Sequence, residues 1–473
     1  MPFGGDTPQE LNIRLRRIYV LYTAGFALMI LLIALAEILG LPRNWIGYVF
    51  LLVTVSLYAG IGIVCRTSDQ VEYYVAGRRV PAIYNGMATA ADWMSVASFI
   101  GVAGTLYLTG YGGLAYIMGW TGGYVLVAML LAPYLRRFGQ YTIPDFMGAR
   151  YGGNLPRLAG VACAILCSFT YLVAQIYGVG IITTRMTGIS FELGIFVALG
   201  GMLVCSFLGG MRAVTWTQVG QYIILVIAYL VPVVWLSIKH TDMPIPQLSA
   251  GVVLQQVTEK EVYLQNDPAE IEVRRLWQER ADEMAQRVRD LPESWTLEKD
   301  KLRSRLAQLN AGDAPMVEIR SVERELAAFP PNVDEARIAW SQAKATFEAR
   351  AAPLTPHAEP FPSKDPEERR NMRINFLALV LCLMLGTAGM PHILMRSYTT
   401  SSVVEARKSV CWSLLFILLL YFMAPALALL VKYEVYTQVV GSNFLSLPNW
   451  VHAWSAVDSA AASPPAATRP EIT

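Results

Sequence analysis

The sequence predicts an all-α polytopic membrane protein, and three observations carry that prediction. Its 473 residues are 54% hydrophobic and 16% charged, with a mean hydropathy of +0.40, which is too apolar for a water-soluble chain of this length. Apolar runs of about twenty residues, enough to cross the hydrocarbon core, recur along the chain. Between residues 239 and 371 the pattern changes abruptly to mixed charge at helical spacing, so the apolar runs are discrete segments.

The runs fall at 19–39, 45–65, 82–110, 114–135, 157–183, 191–209, 216–238, 374–395 and 409–432, which predicts about nine spans. The first follows Arg14, Arg16 and Arg17 but is too long for a signal peptide and has no small-residue cleavage site, so it reads as a retained helix. If the spans alternate, Arg66, Arg78, Arg79, Arg136, Arg137, Arg150, Arg157, Arg212, Arg396, Arg407 and Lys408 share a side with that N-terminal cluster. The opposite short loops hold little more than Arg43 and Arg185. The positive-inside rule then puts the N-terminus in the cytoplasm and the chain after Lys432 outside.

The charged interval contains EIEVRRLWQERADEMAQRVRDLPESW and LEKDKLRSRLAQLN, which predict an extramembrane helical insert on the outer face, either a solvated hairpin or a partner-binding domain. Its exit, AAPLTPHAEPFPSKDP, reads as an extended linker, and the closing SAVDSAAASPPAATRPEIT as low-complexity chain without a packed element. A net charge of +2 gives no field for nucleic acid. Cys65, Cys163, Cys167, Cys205, Cys382 and Cys411 lie in or beside apolar runs without CxxC spacing and read as small hydrophobes. No nucleophile elbow, phosphate loop or metal cluster stands in a suitable context, so no enzyme is predicted.

Two spans are built poorly for lipid. NGMATAADWMSVASFIGVAGTLYL, Asn85 to Leu108, carries Asp92 among Ala88, Ala90, Ala91, Ala97 and Gly101. An aspartate at mid-membrane costs about 2.5–3.5 kcal/mol, so it needs a partner, a water-filled cavity or a proton. The small residues also suit an ordinary packing seam. In INFLALVLCLMLGTAGMPHILMRSY the run is interrupted by Gly386, Thr387, Ala388, Gly389, Met390 and Pro391, which predicts a broken helix, with a simple proline kink as the alternative. Backbone groups freed at that depth persist where they line a cavity, and paired broken helices point to a transporter site. Half-helix ends suit an anion, and unwound carbonyls and hydroxyls suit sodium. With no buried Lys or Arg foreseen in the spans, helix ends would hold a substrate carboxylate. Tyr171 and Gln175 share a helix face and read as pocket lining or as interhelical hydrogen-bonding groups; His392 reads as a structural histidine.

Four stretches, YYVAGRRVPAIYNGMATAADWMSVASFIGVAG, QYTIPDFMGARYGGNLPR, FLGGMRAVTWTQVGQY and MPHILMRSYTTSSVVEARKS, resemble the sodium:solute symporter family, in particular its acetate-permease-like branch of monocarboxylate symporters. The resemblance runs from about Tyr73 to Trp454 outside the insert. It implies a leucine-transporter-type bundle of two inverted five-helix repeats behind extra N-terminal spans, with Ile83 to Tyr107 as core helix one and Ile374 to Met395 as core helix six. It implies sodium held by main-chain carbonyls of Ala91 and Met94 with Asp92 beside it, and substrate facing Ser95 and Ser98 opposite Gly386, Thr387 and Gly389. Many relatives carry an acid where Gln218 follows Thr217 here. The resemblance implies a second repeat that continues beyond core helix seven, where this sequence stops, so the expectation is an incomplete second repeat in a truncated form that is inactive unless another polypeptide supplies the missing helices.

The expected organisation is therefore 1–72, a tail and two extra spans; 73–239, the first core repeat; 240–372, the insert and linker; 373–433, two helices of the second repeat; and 434–473, a disordered external tail. The expected function is sodium-coupled symport of a small monocarboxylate such as acetate across the bacterial inner membrane. Sodium, the carboxylate and the lipid bilayer are the partners, with no nucleic acid, no cofactor and no assigned protein partner. The alternatives are proline, pantothenate, a sugar or urea as solute, coupling to protons, or a non-transporting sensor.

Overall fold

The computed structural model describes residues 8–312, 316–443 and 446–451, and among them every regular element is helical. The low-complexity stretch 455–473, expected to be disordered, lies outside the described residues. The chain divides into two units, one of residues 1–257 and 357–473 and one of Thr258–Pro356.

In the first unit, α1 (Pro8–Ile38) and α2 (Arg43–Val64) are the two helices ahead of the family-like region. A short α3 (Gln70–Val75) starts where Asp69 accepts from the Glu72 N–H at 2.8 Å, a side-chain cap that satisfies one of the helix's free donors. The first odd span is broken. Helix α4 (Ala82–Trp93) stops at Met94, whose ψ of 57° is not helical, and the chain resumes through a π turn (Ala97–Gly101) into α5 (Val102–Thr109). Gly110, with φ +54°, then reverses the chain into α6 (Leu114–Leu126), a second π turn and α7 (Ala132–Phe138). Next come α8 (Ile143–Tyr151), α9 (Asn154–Thr187), α10 (Phe191–Thr241) and α11 (Pro246–Asn266).

Among the described residues seven helical stretches are long and apolar enough to cross a membrane, and Phe191–Val204 is a shorter apolar helix, against nine apolar runs in the sequence. At Gly110 and at Gly210 (φ +52°, ψ −143°) a positive φ lets one helix turn directly into the next, so two pairs of runs are each joined without a loop.

The second odd span is broken too. Helix α16 (Pro366–Ala388) ends at Gly389 and extended Met390, and a short α17 (Pro391–Met395) follows. A 3₁₀ turn (Arg396–Tyr398) leads to α18 (Val403–Gln438), capped by Ser402. Helix α16 lies close along α6 because α6 presents Gly119, Gly122 and Gly123. A methyl on Gly119 would meet Leu383 Cβ at 2.5 Å, and one on Gly123 would meet Met384 O and Thr387 Cβ at 2.6 Å. Small residues of this kind let membrane helices approach closely.

The inserted unit contains α12 (Pro268–Arg289), α13 (Glu293–Ala311), α14 (Met316–Ala327) and α15 (Val333–Ala351). It is more than a solvated hairpin. Ala281, Val322, Ala336 and Trp340 are buried within it, Trp277 stacks on Phe347 at 5.6 Å, and Trp295 donates from Nε1 to Pro330 O at 3.0 Å. α10 and α11 carry the chain up to this unit, and residues 352–365 lead away from it without helix.

Candidate functional site

The two breaks share a cavity of about 210 Å³, lined by Asp92, Trp93, Ser95, Ala97, Ser98, Trp120, Tyr171, Thr387, Met390, His392 and Ile393. Five of the ten residues expected at the site, Asp92, Ser95, Ser98, Tyr171 and Thr387, are therefore brought together. Ala91, Met94, Gln175, Gly386 and Gly389 do not line it and sit at the breaks behind it.

The first break redirects the backbone ladder. Ser95 N–H donates to Trp93 O at 2.8 Å, Val96 N–H to Gln175 Oε1 at 3.4 Å and Ser98 N–H to Ser95 Oγ at 3.4 Å. In a continuous helix these three donors would close onto the carbonyls of Ala91, Asp92 and Met94. Those carbonyls therefore lose their regular partners. Gln175 holds the break from α9, and Ser98 Oγ donates to Trp93 O at 2.7 Å, with Ser95 Oγ 3.4 Å from it. At the second break, Gly389 N–H folds back on Leu385 O and Gly386 O, and Met390 N–H on Thr387 O at 3.2 Å. Gly386 has nothing within 4 Å of the position a Cβ would take.

Asp92 is offset by a partner that the sequence had placed in a loop. Arg396, only 4% exposed, donates from Nε to Asp92 Oδ2 at 2.6 Å and from Nη1 to Thr215 Oγ1 at 2.8 Å. Gln218 completes the ring, donating from Nε2 to Asp92 Oδ1 and accepting at Oε1 from Arg396 Nη2. The expectation of no buried Arg or Lys in the spans is thus corrected: the arginine counted with the cytoplasmic charges is internal, and the site's acid and base neutralise each other. Asn85, 2% exposed, fixes that turn. It donates to Arg396 O at 3.2 Å and to Ser409 Oγ at 2.8 Å and accepts from Thr399 Oγ1 at 2.8 Å.

Aromatic rings bound the cavity on two sides. His392 stacks on Tyr171 with centroids 5.0 Å apart, and its ring also lines a larger cavity of about 550 Å³ reaching Tyr141, Asp145 and Arg157. Trp93 donates from Nε1 to the Tyr421 hydroxyl at 2.7 Å, and Trp120 stacks on the same ring at 6.4 Å. Tyr421 in turn lines a second cavity of about 550 Å³ with Leu106, Ile117, Leu254 and His357. The central chamber thus shares His392 with one larger cavity, and its Trp93 and Trp120 touch Tyr421 on the wall of the other. Sequence reasoning missed Trp93, Trp120 and Arg396, which carry no helix-breaking signal. Among the described residues no group of three or more His, Cys, Asp or Glu could hold a metal ion.

A profile of the sodium:solute symporter family matches residues 73–241 and 345–446, more than half of the chain. The chain belongs to the sodium:solute symporter family. This symporter-family chain is 52% identical over 451 residues to an uncharacterized symporter of Cupriavidus necator, an alignment covering 94% of the chain and 66% of that relative. The chain spans just under two-thirds of the length of that curated relative. Among solved structures, a substrate-bound, outward-open Na⁺-coupled sialic acid symporter aligns with 87% of the chain and 83% of its own, at 15% identity and a TM-score of 0.35. Family membership and the membrane-length helices make the protein an integral membrane transporter-family protein.

Proposed function

We propose sodium-coupled symport of a small monocarboxylate, acetate or a near relative, across the bacterial inner membrane, with the N-terminus cytoplasmic. The observation that carries the reading is the single chamber shared by two broken helices. At about 210 Å³ it lies below the range of ~300–1,000 Å³ usual for drug-sized ligands, which favours a small solute. Sodium is a hard cation that takes oxygen ligands, and the carbonyls of Ala91 and Met94, relieved of their helical donors, supply that chemistry with Asp92 adjacent. The hydroxyls of Ser95, Ser98, Thr387 and Tyr171 face the solute, with no Lys or Arg on the chamber wall. Gln175, Gly386 and Gly389 shape the two breaks. An inward sodium ion at a negative-inside potential gains about 2.3 kcal/mol per 100 mV, which drives accumulation.

The test is uptake of labelled acetate by proteoliposomes of the full chain with and without an inward sodium gradient. Accumulation that requires the gradient supports the reading. Accumulation indifferent to sodium overturns coupling, and no accumulation of any small carboxylate overturns transport by this chain.

A further inference from the structure

We propose that the segment 357–361, where the chain leaves the inserted helical unit, is a strap that latches one vestibule of the solute pathway shut. That this cavity belongs to a solute pathway rests on the proposed symport, whereas the latch rests on geometry of its own. His357 and Ala358 form part of the wall of the 550 Å³ cavity that Tyr421 also lines, the ring that Trp93 and Trp120 hold from the central chamber. Opening at the strap is therefore opening towards the site.

Three features fasten the strap to the turn between α5 and α6. Tyr111 N–H donates to His357 O at 3.0 Å. Gly110 lets the two backbones touch: a methyl there would lie 2.5 Å from His357 O and 2.8 Å from its Cα. The rings of Tyr111, Phe361 and Phe376 close on one another, with centroids 5.5–5.7 Å apart. Against these stands strain. Phe361 sits at φ +57°, a left-handed conformation that costs a bulky side chain free energy and persists where surrounding contacts impose it. One hydrogen bond and a ring cluster, opposed by a strained residue at the end of the segment, make a closure of low net stability, as elements that must open require.

The experiment reads opening without needing transport. Ile117, on the cavity wall, is changed to cysteine in the full chain with its six native cysteines replaced by alanine, and its alkylation by a charged thiol reagent is timed in detergent. Gly110→Val, which pushes His357 away, and Phe361→Ala, which removes the ring, each raise the rate about tenfold, the change expected from losing interactions of this size. Gly104→Ala on α5, with open space around it, leaves the rate at the parental value. If Phe361→Ala, and Gly110→Val where it folds, are monodisperse and alkylate at the parental rate, the latch is overturned. Acetate uptake is measured beside it. Responsive alkylation in a protein that accumulates nothing sinks the transport reading and keeps the strap as a closure, whereas sodium-driven uptake with unresponsive alkylation sinks the strap alone.

Discussion

Arg396 Nε lies 2.6 Å from Asp92 Oδ2, and the two residues come from opposite helix breaks. The pair closes electrostatically on itself, with Gln218 bridging both members and Thr215 taking one more guanidinium donor. A neutral substitution on one side alone leaves a buried charge without its partner.

Asp92→Asn is therefore expected to destabilise the protein by about 3 kcal/mol, because breaking a buried pair costs more than replacing both members. Adding Arg396→Gln to that variant is expected to restore part of the loss. Denaturant midpoints of the two single variants and the double variant give the coupling, and a double variant whose loss equals the sum of the singles removes the pair from the account.

The seam between α6 and α16 gives a second expectation. Gly123→Ala forces a methyl to 2.6 Å from Met384 O and Thr387 Cβ, and overpacking of this kind costs about 1–3 kcal/mol. Gly104→Ala, with nothing within 4 Å, is expected to be neutral or to stabilise by up to about 1 kcal/mol, since alanine loses less backbone entropy in a helix. Thermal unfolding in detergent separates the two, and equal midpoints would dismiss the seam.

Much of this arrangement was legible in the residues. Both breaks were announced by features that a lipid-facing helix lacks: Asp92 among small residues in one span, and Gly386 to Pro391 in the other. Ser95, Ser98 and Thr387, which the family resemblance implies at the substrate, line the chamber. Arg396 was not legible, because an arginine at the end of an apolar run looks the same whether it faces headgroups or folds back to an internal acid. Trp93 and Trp120 were missed because a tryptophan in an apolar run is ordinary, and only the tertiary fold brings both to Tyr421. The insert's core, too, depends on pairings such as Trp277 with Phe347, which helical spacing does not reveal.

Gln175 provides a prediction about the ion. Its Oε1 accepts the Val96 N–H at 3.4 Å, keeping that donor off the ladder. Gln175→Leu is expected to raise the sodium concentration for half-maximal uptake about tenfold, in line with the loss of one hydrogen bond at a functional break. Sodium titration of acetate uptake measures it, and an unchanged half-saturation would show that the glutamine does not hold the ion-binding shape.

Selectivity is expected to follow chamber size and polarity. Unlabelled propionate should compete with labelled acetate, while glucose, proline and urea in excess should leave uptake unchanged. Competition by glucose as strong as that by propionate would transfer the assignment to another branch of the family.

A wall that admits no methyl group also dictates which parts of the molecule travel together. Trp120 on α6 and Thr387 on α16 stand on two helices that Gly119 and Gly123 bring into backbone-close contact. Past Met390 no such seam is at hand: five residues of helix carry the His392 ring, whose stacking partner Tyr171 belongs to α9, so a change of shape at the chamber under the proposed transport is expected there first.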